Sequence, residues 1–334
     1  NEGKMVYVVT DVPTREGYTF LGWKSSESTE GDTLLNKDSA PFRMPGHDVT
    51  LTAQWEPNET EYTVNYYWNN TMRKVRDSKT VPGQKVDKEV TESPVAVDGY
   101  TVVSADAQKI TLGANAAQNV INFYYYKNVT LTANSATREY TGQMQSVTGY
   151  TSSDENAVFE NISVGAEGVE VGTYGAVFAD GIIGTVDTTD KYIVSNAVNG
   201  KLEIIPSTVE TEVVITGHHA SEVYNGNEQS VTGYEVTTAP ATVTVALAEG
   251  TEAKASGTDA GRYKMGLTEA DFVVTSKNYS NIKVTVVDGY LEITPITAET
   301  EVKITGNHGS KVYTGNPQSV SGYEVNAPAT VNVE

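Results

Sequence analysis

An internal repeat constrains the fold of this chain more than any other feature of its sequence. A Tyr-x-Gly, Gln-Ser-Val, Gly-Tyr pattern occurs three times, and the tyrosines that open it, Tyr140, Tyr224 and Tyr313, lie 84 and 89 residues apart. The first two copies end in Gly-x-Leu-Glu-Ile-x-Pro, at residues 200–206 and 289–295. Self-similarity at a nearly fixed period indicates tandem structural units.

Each unit has the pattern of a β-sandwich. Runs of β-branched residues such as 213–216 and 282–287 alternate with turn-forming pairs such as Asp288-Gly289, and no window shows the apolar period of a helix. Several short strands in about 85 residues are typical of an all-β sandwich. The linkers at 207–211 and 296–300 are short and lack Gly/Ser runs, so we expect semi-extended junctions and an elongated rod.

These landmarks resemble the MBG repeats of bacterial surface proteins. The second copy carries Tyr224, Gly226, Ala260-Gly261-Arg262-Tyr263, Asn278-Tyr279 and the closing Pro295. The first copy departs from the family pattern at Val171 and Lys191. The resemblance implies tandem immunoglobulin-like sandwiches at 128–207 and 208–296, with the truncated start of a third repeat at 297–334.

Residues 1–57 carry a different signature. Gly17-Tyr18-Thr19-Phe20-Leu21-Gly22-Trp23 is followed by a closing Leu51-Thr52-Ala53-Gln54-Trp55. This combination is similar to the internalin B-repeat, also called the Listeria–Bacteroides repeat, and implies a small β-grasp module. Its usual first strand should precede Met5 and is missing or shortened, so we expect the chain to start inside the module. Trp23 and Trp55 are expected to close its core.

Residues 58–127 begin and end on aromatic strands, Tyr62 to Trp68 and Val120 to Tyr126, with Val81-Pro82-Gly83-Gln84-Lys85-Val86 and Gly99-Tyr100 between them. This order resembles the mucin-binding-protein (MucBP) repeat, which implies a second β-grasp-like module. The alternating Tyr and Phe of the two terminal strands predict that these strands are paired and bury one face.

The charge distribution singles out this second module. The chain carries a formal net charge of −20, residues 128–207 and 208–296 each carry −7, and residues 58–127 carry none. Four bases cluster there: Arg73, Lys74, Arg76 and Lys79. Acidic glycans are repelled by the rest of the chain, so the sequence predicts that any ligand contact lies at these four residues. The alternative is that they line a solvated strand pair.

No catalytic or metal-binding pattern is present. The chain has no Cys, which excludes thiol catalysis, disulfides and thiolate metal sites. Its four histidines, His47, His218, His219 and His308, match no metalloprotease motif; His219 aligns with His308 and with Ser135, and we interpret it as a loop residue rather than a pH-sensitive or metal contact. No EF-hand run occurs, although acid-rich loops leave Ca²⁺ binding open. A Lys–Asn isopeptide cross-link is not expected, because Lys303 aligns with Val214. We expect no enzyme activity, cofactor or metal.

The interpretation that follows is a non-enzymatic adhesin or stalk on the surface of a Gram-positive-type bacterium. We expect an extracellular monomer, anchored to the cell wall through a region outside this chain, whose partner is a host glycoprotein or mucin-type glycan. Two alternatives stay open: immunoglobulin or other host-protein binding by the repeats, and accessory spacers of a secreted glycan-processing enzyme. No apolar stretch of about 18 residues predicts membrane insertion, and the acidic charge argues against nucleic acid.

Overall fold

The protein is all-β. The computed structural model describes residues 2–29, 31–329 and 331–334. In these residues the regular structure consists of 29 strands and two single-turn 3₁₀ helices, Ala116–Gln118 and Glu269–Asp271, which confirms the predicted fold class. Nothing helical in the described residues has the length and hydropathy of a membrane span. The chain divides into two compact units, one ending at Ile205 and the other running from Pro206 to Glu334.

The first module contains two antiparallel strand pairs, β1 with β3 and β2 with β4. The strands are β1 (Met5–Val6), β2 (Tyr18–Ser25), β3 (Phe42–Arg43) and β4 (Leu51–Pro57). A first strand is therefore present at Met5, but it is only two residues long.

A β-bulge in β2 brings the aromatic side chains of this module together. Leu21 is the extra residue, because Phe20 pairs with Trp55 while Gly22 already pairs with Gln54. Phe20 and Trp23 would otherwise point to opposite faces of the strand. With the bulge, the Phe20 ring packs edge-on against Trp23 at 5.4 Å and Trp55 at 5.3 Å. Gly22 has φ +140°, and a Cβ there would lie 2.7 Å from Leu34 Cβ.

The second module is built on a sheet of order β6–β5–β10–β8, in which β5 and β10 are parallel. Its strands are β5 (Glu59–Trp68), β6 (Lys74–Lys85), β7 (Glu89–Glu92), β8 (Tyr100–Val102), β9 (Gln108–Thr111) and β10 (Val120–Ala133), and β7 pairs with β9 separately. One face of β5 and β10 is buried as predicted, and its main side chains are Tyr62, Val64, Tyr66, Ile121, Phe123 and Tyr125.

Strand β10 continues from the second module into the first repeat. Its residues 120–125 pair with β5, and its residues 127–132 pair in parallel with β16 (Tyr192–Val198). The module boundary predicted at 127/128 thus falls within one continuous strand of 14 residues. The two modules share a backbone element there rather than a linker.

The two repeats share most of their strand pairing. The first contains the second half of β10, then β11 (Ala136–Glu139), β12 (Gln145–Thr148), β13 (Tyr150–Ser152), β14 (Gly165–Gly168), β15 (Gly172–Ala176), β16 and β17 (Gly200–Ile205). The second contains β18 (Thr211–Gly217), β19 (His219–Val223), β20 (Gln229–Thr232), β21 (Tyr234–Thr238), β22 (Val243–Leu247), β23 (Lys254–Gly257), β24 (Gly261–Lys264), β25 (Phe272–Ser276), β26 (Ile282–Val287) and β27 (Tyr290–Thr294). The strand that opens each repeat is β10 in the first and β18 in the second. Strand β10 pairs with β13 and β16, and β18 pairs with β21 and β26. The strand order β11–β17–β15 of the first repeat corresponds to β19–β27–β24 of the second. The β22–β25 pair has no counterpart among the described strands of the first repeat.

One hydrogen bond of the turn that defines the sequence repeat is present in all three copies. The side-chain amides of Gln145, Gln229 and Gln318 each donate to a backbone carbonyl six residues earlier, at 2.9 Å. Among its described residues, the third copy forms only β28 (Lys303–Gly306) and β29 (Tyr323–Asn326), paired as β18 is with β21. The sequence motif therefore specifies a local hydrogen-bonded turn.

Candidate binding surface

The four bases predicted as the binding site lie at the edge of the second module. Lys74, Arg76 and Lys79 belong to β6 and Arg73 directly precedes it; all four are exposed. Strand β6 hydrogen-bonds only to β5, so its other edge faces solvent in the part of the chain that the structure describes.

Two irregularities in the β5–β6 pairing place these bases on different faces. Lys74 is opposite Tyr67, Arg76 is opposite Tyr66 and Lys79 is opposite Val64, with register shifts between these positions. Tyr66 and Val64 are buried, whereas Tyr67 is on the other, outer face. Lys74 lies on the outer face with its register partner Tyr67. Its Nζ donates to Ser78 Oγ at 2.6 Å, and Ser78 Oγ donates to Asn65 Oδ1 at 2.6 Å.

Arg76 and Lys79 are on the core side of the sheet. The Arg76 guanidinium lies 5.8 Å from the centroid of the Tyr66 ring. Lys79 Nζ donates to Glu92 Oε1 at 2.6 Å, and the Tyr62 hydroxyl donates to the same oxygen at 2.6 Å. Burial and the bond to Glu92 raise the pKa of Tyr62 to about 12. Burial opposes ionisation of Glu92, but the bonds from Lys79 and Tyr62 outweigh it and lower its pKa.

Arg73 occupies a third position. Its guanidinium lies 5.4 Å from the Trp68 ring, and its backbone carbonyl accepts from Trp68 N–H at 2.9 Å. The structure therefore brings the four bases to one strand edge but divides them among two faces and a turn. Bases, bulges and Pro82 on an exposed edge strand also protect it against pairing with another chain.

The outer face of the sheet carries a pair of tyrosines that the sequence analysis did not single out. The rings of Tyr67 and Tyr124 lie 6.1 Å apart, beside a shallow depression of about 650 Å³ lined by Asn69, Asn70, Thr71, Met72 and Tyr124. Tyr124 is 42% exposed and Met72 is 88% exposed. The alternation that predicted a buried face also implied this exposed one, and Lys74 is the member of the basic group that shares it.

The second module contacts the first repeat through residues 187–191, here named the junction loop. We call this set of contacts the clamp. Trp68 Nε1 donates to the Lys191 carbonyl at 2.8 Å, and the Trp68 ring packs edge-on against Tyr192 at 5.4 Å. Asp190 Oδ2 accepts from the side-chain amides of Asn69 at 2.9 Å and Asn70 at 3.1 Å. Tyr126 donates its hydroxyl to Asp190 Oδ1 at 2.9 Å.

Two carboxylates hold this junction in shape. Asp187 is 4% exposed and accepts from the backbone N–H groups of Lys191 and Tyr192 at 2.8 and 2.9 Å. Its burial opposes ionisation, but these bonds and that from Thr189 lower its pKa. Lys127 Nζ is 2.7 Å from Asp154 Oδ2, and this bond is the main reason that the pKa of Asp154 falls to about 2.

The histidines have separate surroundings. His218 Nδ1 is 2.9 Å from the Thr232 carbonyl. At the equivalent position of the other copies, the side-chain amides of Asn134 and Asn307 donate to the carbonyls of Thr148 and Ser321. His219 stacks on Tyr290 at 5.5 Å, which makes it a strand residue rather than the predicted loop residue. The described residues contain no group of three or more potential metal ligands of the His, Cys, Asp and Glu types.

One of the comparisons with known proteins identifies the family of the first module. Residues 2–59 match the family model of the divergent InlB B-repeat domain, in agreement with the resemblance found in the sequence. Internalin H of Listeria monocytogenes is 37% identical over 91 residues, which is 27% of this chain and 14% of internalin H. Among solved structures, the Bacillus anthracis TIE protein aligns over 72% of this chain and 54% of its own, at 8% identity and a TM-score of 0.25. The sequence matches support an internalin-like B-repeat in a bacterial surface-associated or secreted repeat protein.

Proposed function

We propose that this chain is a non-enzymatic adhesin segment in which the second module, 58–127, contacts a host glycoprotein or mucin-type glycan and the repeats project it from the bacterial surface. The B-repeat match at residues 2–59 supports the surface setting. The MucBP-like character of 58–127 and the MBG-like character of the repeats are part of the proposal.

The observation that carries the proposal is the setting of the bases of β6. They are exposed on the one module without net charge, in a chain of −20. An acidic ligand meets less net repulsion at this module than at the rest of the chain, and arginine offers a planar guanidinium for its carboxylates while lysine offers a point charge. The clamp at the junction loop holds this surface on the first repeat, so that a ligand meets a fixed arrangement of charges.

The experiment separates the two faces of β6 in the full chain. Arg73→Ser with Lys74→Ser removes the cations of the turn and the outer face, and Arg76→Ser with Lys79→Ser removes those of the core side. Binding to purified mucin is measured across ionic strengths, because exposed charges are screened over about 8 Å at physiological salt. Lys109→Ser removes the same type of charge from β9 in the same module and is the matched control.

We expect at least one double variant to lose most of the binding and the salt dependence, while Lys109→Ser binds as the parent does. Thermal unfolding of each variant checks that the fold is retained, since Lys79 also satisfies Glu92. Parent-like binding by both double variants would move the ligand site out of this module.

A further inference from the structure

A row of side chains on the outer face crosses three strands of the second repeat, with exposed His219 and Arg262 on either strand beside half-buried Tyr290. On the sheet β19–β27–β24, His219 pairs in register with Tyr290, and their rings stack at 5.5 Å with an interplanar angle of 19°. Arg262 lies over the same Tyr290 ring, its Cζ 3.5 Å from the centroid. Leu291 and Ile293 on either side of Glu292 are buried, so Tyr290 is on the outer face. We call His219, Tyr290 and Arg262 the stacked row.

The polar groups of this row are available to a ligand. Among the described residues, Arg262 has no hydrogen bond or ion pair with its side chain, although Glu292 is its register partner on β27. Stacking on Tyr290 holds the guanidinium plane in one orientation and leaves its N–H edge free, which is the arrangement that binds a carboxylate through two parallel bonds. Lys264, next to Tyr290 in the pairing, adds a second cation.

The first repeat shows that the fold does not require this row. At the equivalent positions it has Ser135, Lys201 and Thr173, as the shared register of β11, β17 and β15 defines. There Lys201 Nζ is bound to Glu203 at 2.7 Å, and Lys201 N–H donates to Ser135 Oγ at 3.1 Å. The same sheet face is thus internally satisfied in one repeat and open in the other.

We propose that the stacked row binds a carboxylate-bearing sugar residue of an acidic glycan. The local charge argues for an anion, because Arg262 and Lys264 place two cations on one sheet face, whereas the repeat as a whole carries −7. Size argues for a sugar: the His219 ring and the Arg262 guanidinium both pack on the Tyr290 ring, at 5.5 and 3.5 Å, so the row has the width of one or two sugar rings. A protein partner needs about 800 Å² per side with an apolar centre, and the neighbouring outer-face residues Ser221 and Glu292 are polar.

The test uses the residues of the first repeat as replacements, because they fit the same backbone. In the full chain, Arg262→Thr and the triple variant Arg262→Thr, Tyr290→Lys, His219→Ser are compared with the parent for binding to sialyllactose and to lactose, by ligand-observed NMR. Lys254→Thr removes a cation from β23 of the same repeat and is the matched control. Arg262→Lys keeps the positive charge but removes the planar guanidinium that can bind a carboxylate through two parallel hydrogen bonds.

We expect the parent to bind sialyllactose and not lactose, and Arg262→Thr to weaken binding about tenfold, as the loss of a charge-assisted hydrogen-bonded pair predicts. Arg262→Lys should be intermediate, and Lys254→Thr unchanged. Arg73→Ser with Lys74→Ser in the second module should also leave this binding unchanged, which separates it from the function proposed above. Undiminished binding by the triple variant, no binding of sialyllactose by the parent, or preference for poly-glutamate over sialyllactose would each overturn the proposal.

Discussion

The junction loop of the first repeat and residues 276–281 of the second occupy the same place in the fold and hold different things. In both, a carbonyl at the end of the loop accepts from a backbone N–H of the strand that opens the repeat: the Lys191 carbonyl accepts from Lys127 at 2.8 Å, and the Asn281 carbonyl accepts from Thr211 at 2.9 Å. Asp187 caps backbone N–H groups in one loop, and Ser276 accepts those of Asn278 and Tyr279 in the other.

What differs is the segment that each loop contacts. The junction loop binds side chains of another module, Trp68, Asn69 and Asn70. The loop of the second repeat binds the backbone of Ser207: Ser207 N–H donates to the Asn278 carbonyl, and Ser280 donates to the Ser207 carbonyl through both its N–H and its hydroxyl. In each repeat this loop therefore contacts residues that lie earlier in the chain. In the first repeat the contacts are with side chains of a neighbouring module, and in the second they are with the backbone of a short segment.

The largest effect is expected for Trp68→Ala, which removes both the indole hydrogen bond to Lys191 and the contact with Tyr192. The unit ending at Ile205 should lose about 3 kcal/mol of unfolding free energy, in the range for large core truncations. Chemical denaturation measures it. Trp68→Phe keeps an aromatic ring against Tyr192 and should recover most of the loss; an equal loss in both variants would mean that the ring contact does not stabilise the junction.

A pH effect comes next, from Asp154. Its pKa of about 2 in the folded protein lies below the ordinary 3.8, so the carboxylate stabilises the fold above pH 4 and this contribution disappears as the pH falls through 2. The contribution is about 2 kcal/mol at neutral pH. Asp154→Asn should reduce the fall in unfolding free energy between pH 4 and pH 2. Asp98→Asn, at an exposed turn, should not change this fall. An unchanged pH profile in Asp154→Asn contradicts the role of the Lys127 pair.

Asp190 should contribute less, since its hydrogen bonds are exposed. Asp190 has φ +55°, a conformation that Asn tolerates and Ala does not. Asp190→Asn should cost about 1 kcal/mol through lost acceptor oxygens, and Asp190→Ala about 1 kcal/mol more through the backbone. Equal stability of the two variants would show that the carboxylate contacts, rather than the backbone, carry the whole effect.

The smallest effect is expected in the second repeat. Ser280→Ala removes one hydroxyl bond to Ser207 and leaves the backbone bonds, so it should cost about 0.5–1 kcal/mol and affect only the unfolding of residues 206–334. A loss as large as that of Trp68→Ala would erase the difference between the two loops.

Much of this architecture was predictable because it is local. The repeated Gln and Gly of the Tyr-x-Gly turns, the aromatic signature of residues 17–23 and the buried face of β5 and β10 all follow from spacing along the chain. The change of family signature at 127/128 predicts a module boundary and does not predict a continuous β10, although no Gly or Pro interrupts the run from Val120 to Ala133.

Features that depend on pairing between distant segments could not be predicted. The four bases are adjacent in sequence, but the irregular register against β5 separates Lys74 from Arg76 and Lys79. His219, Arg262 and Tyr290 meet only because β19 and β24 both pair with β27. The junction contacts of Asn69 and Asn70 join residues about 120 positions apart in the sequence, and no local sequence pattern predicts them.

Native-state hydrogen exchange along β10 tests most directly whether the second module and the first repeat form one clamped body. Amides in residues 120–125 belong to the module and those in 129–133 to the repeat. A shared strand and a closed clamp predict one opening free energy for both segments, lowered together by Trp68→Ala. Different opening free energies for the two segments, with the variant affecting only one of them, would show that the modules open independently and that the clamp does not couple them.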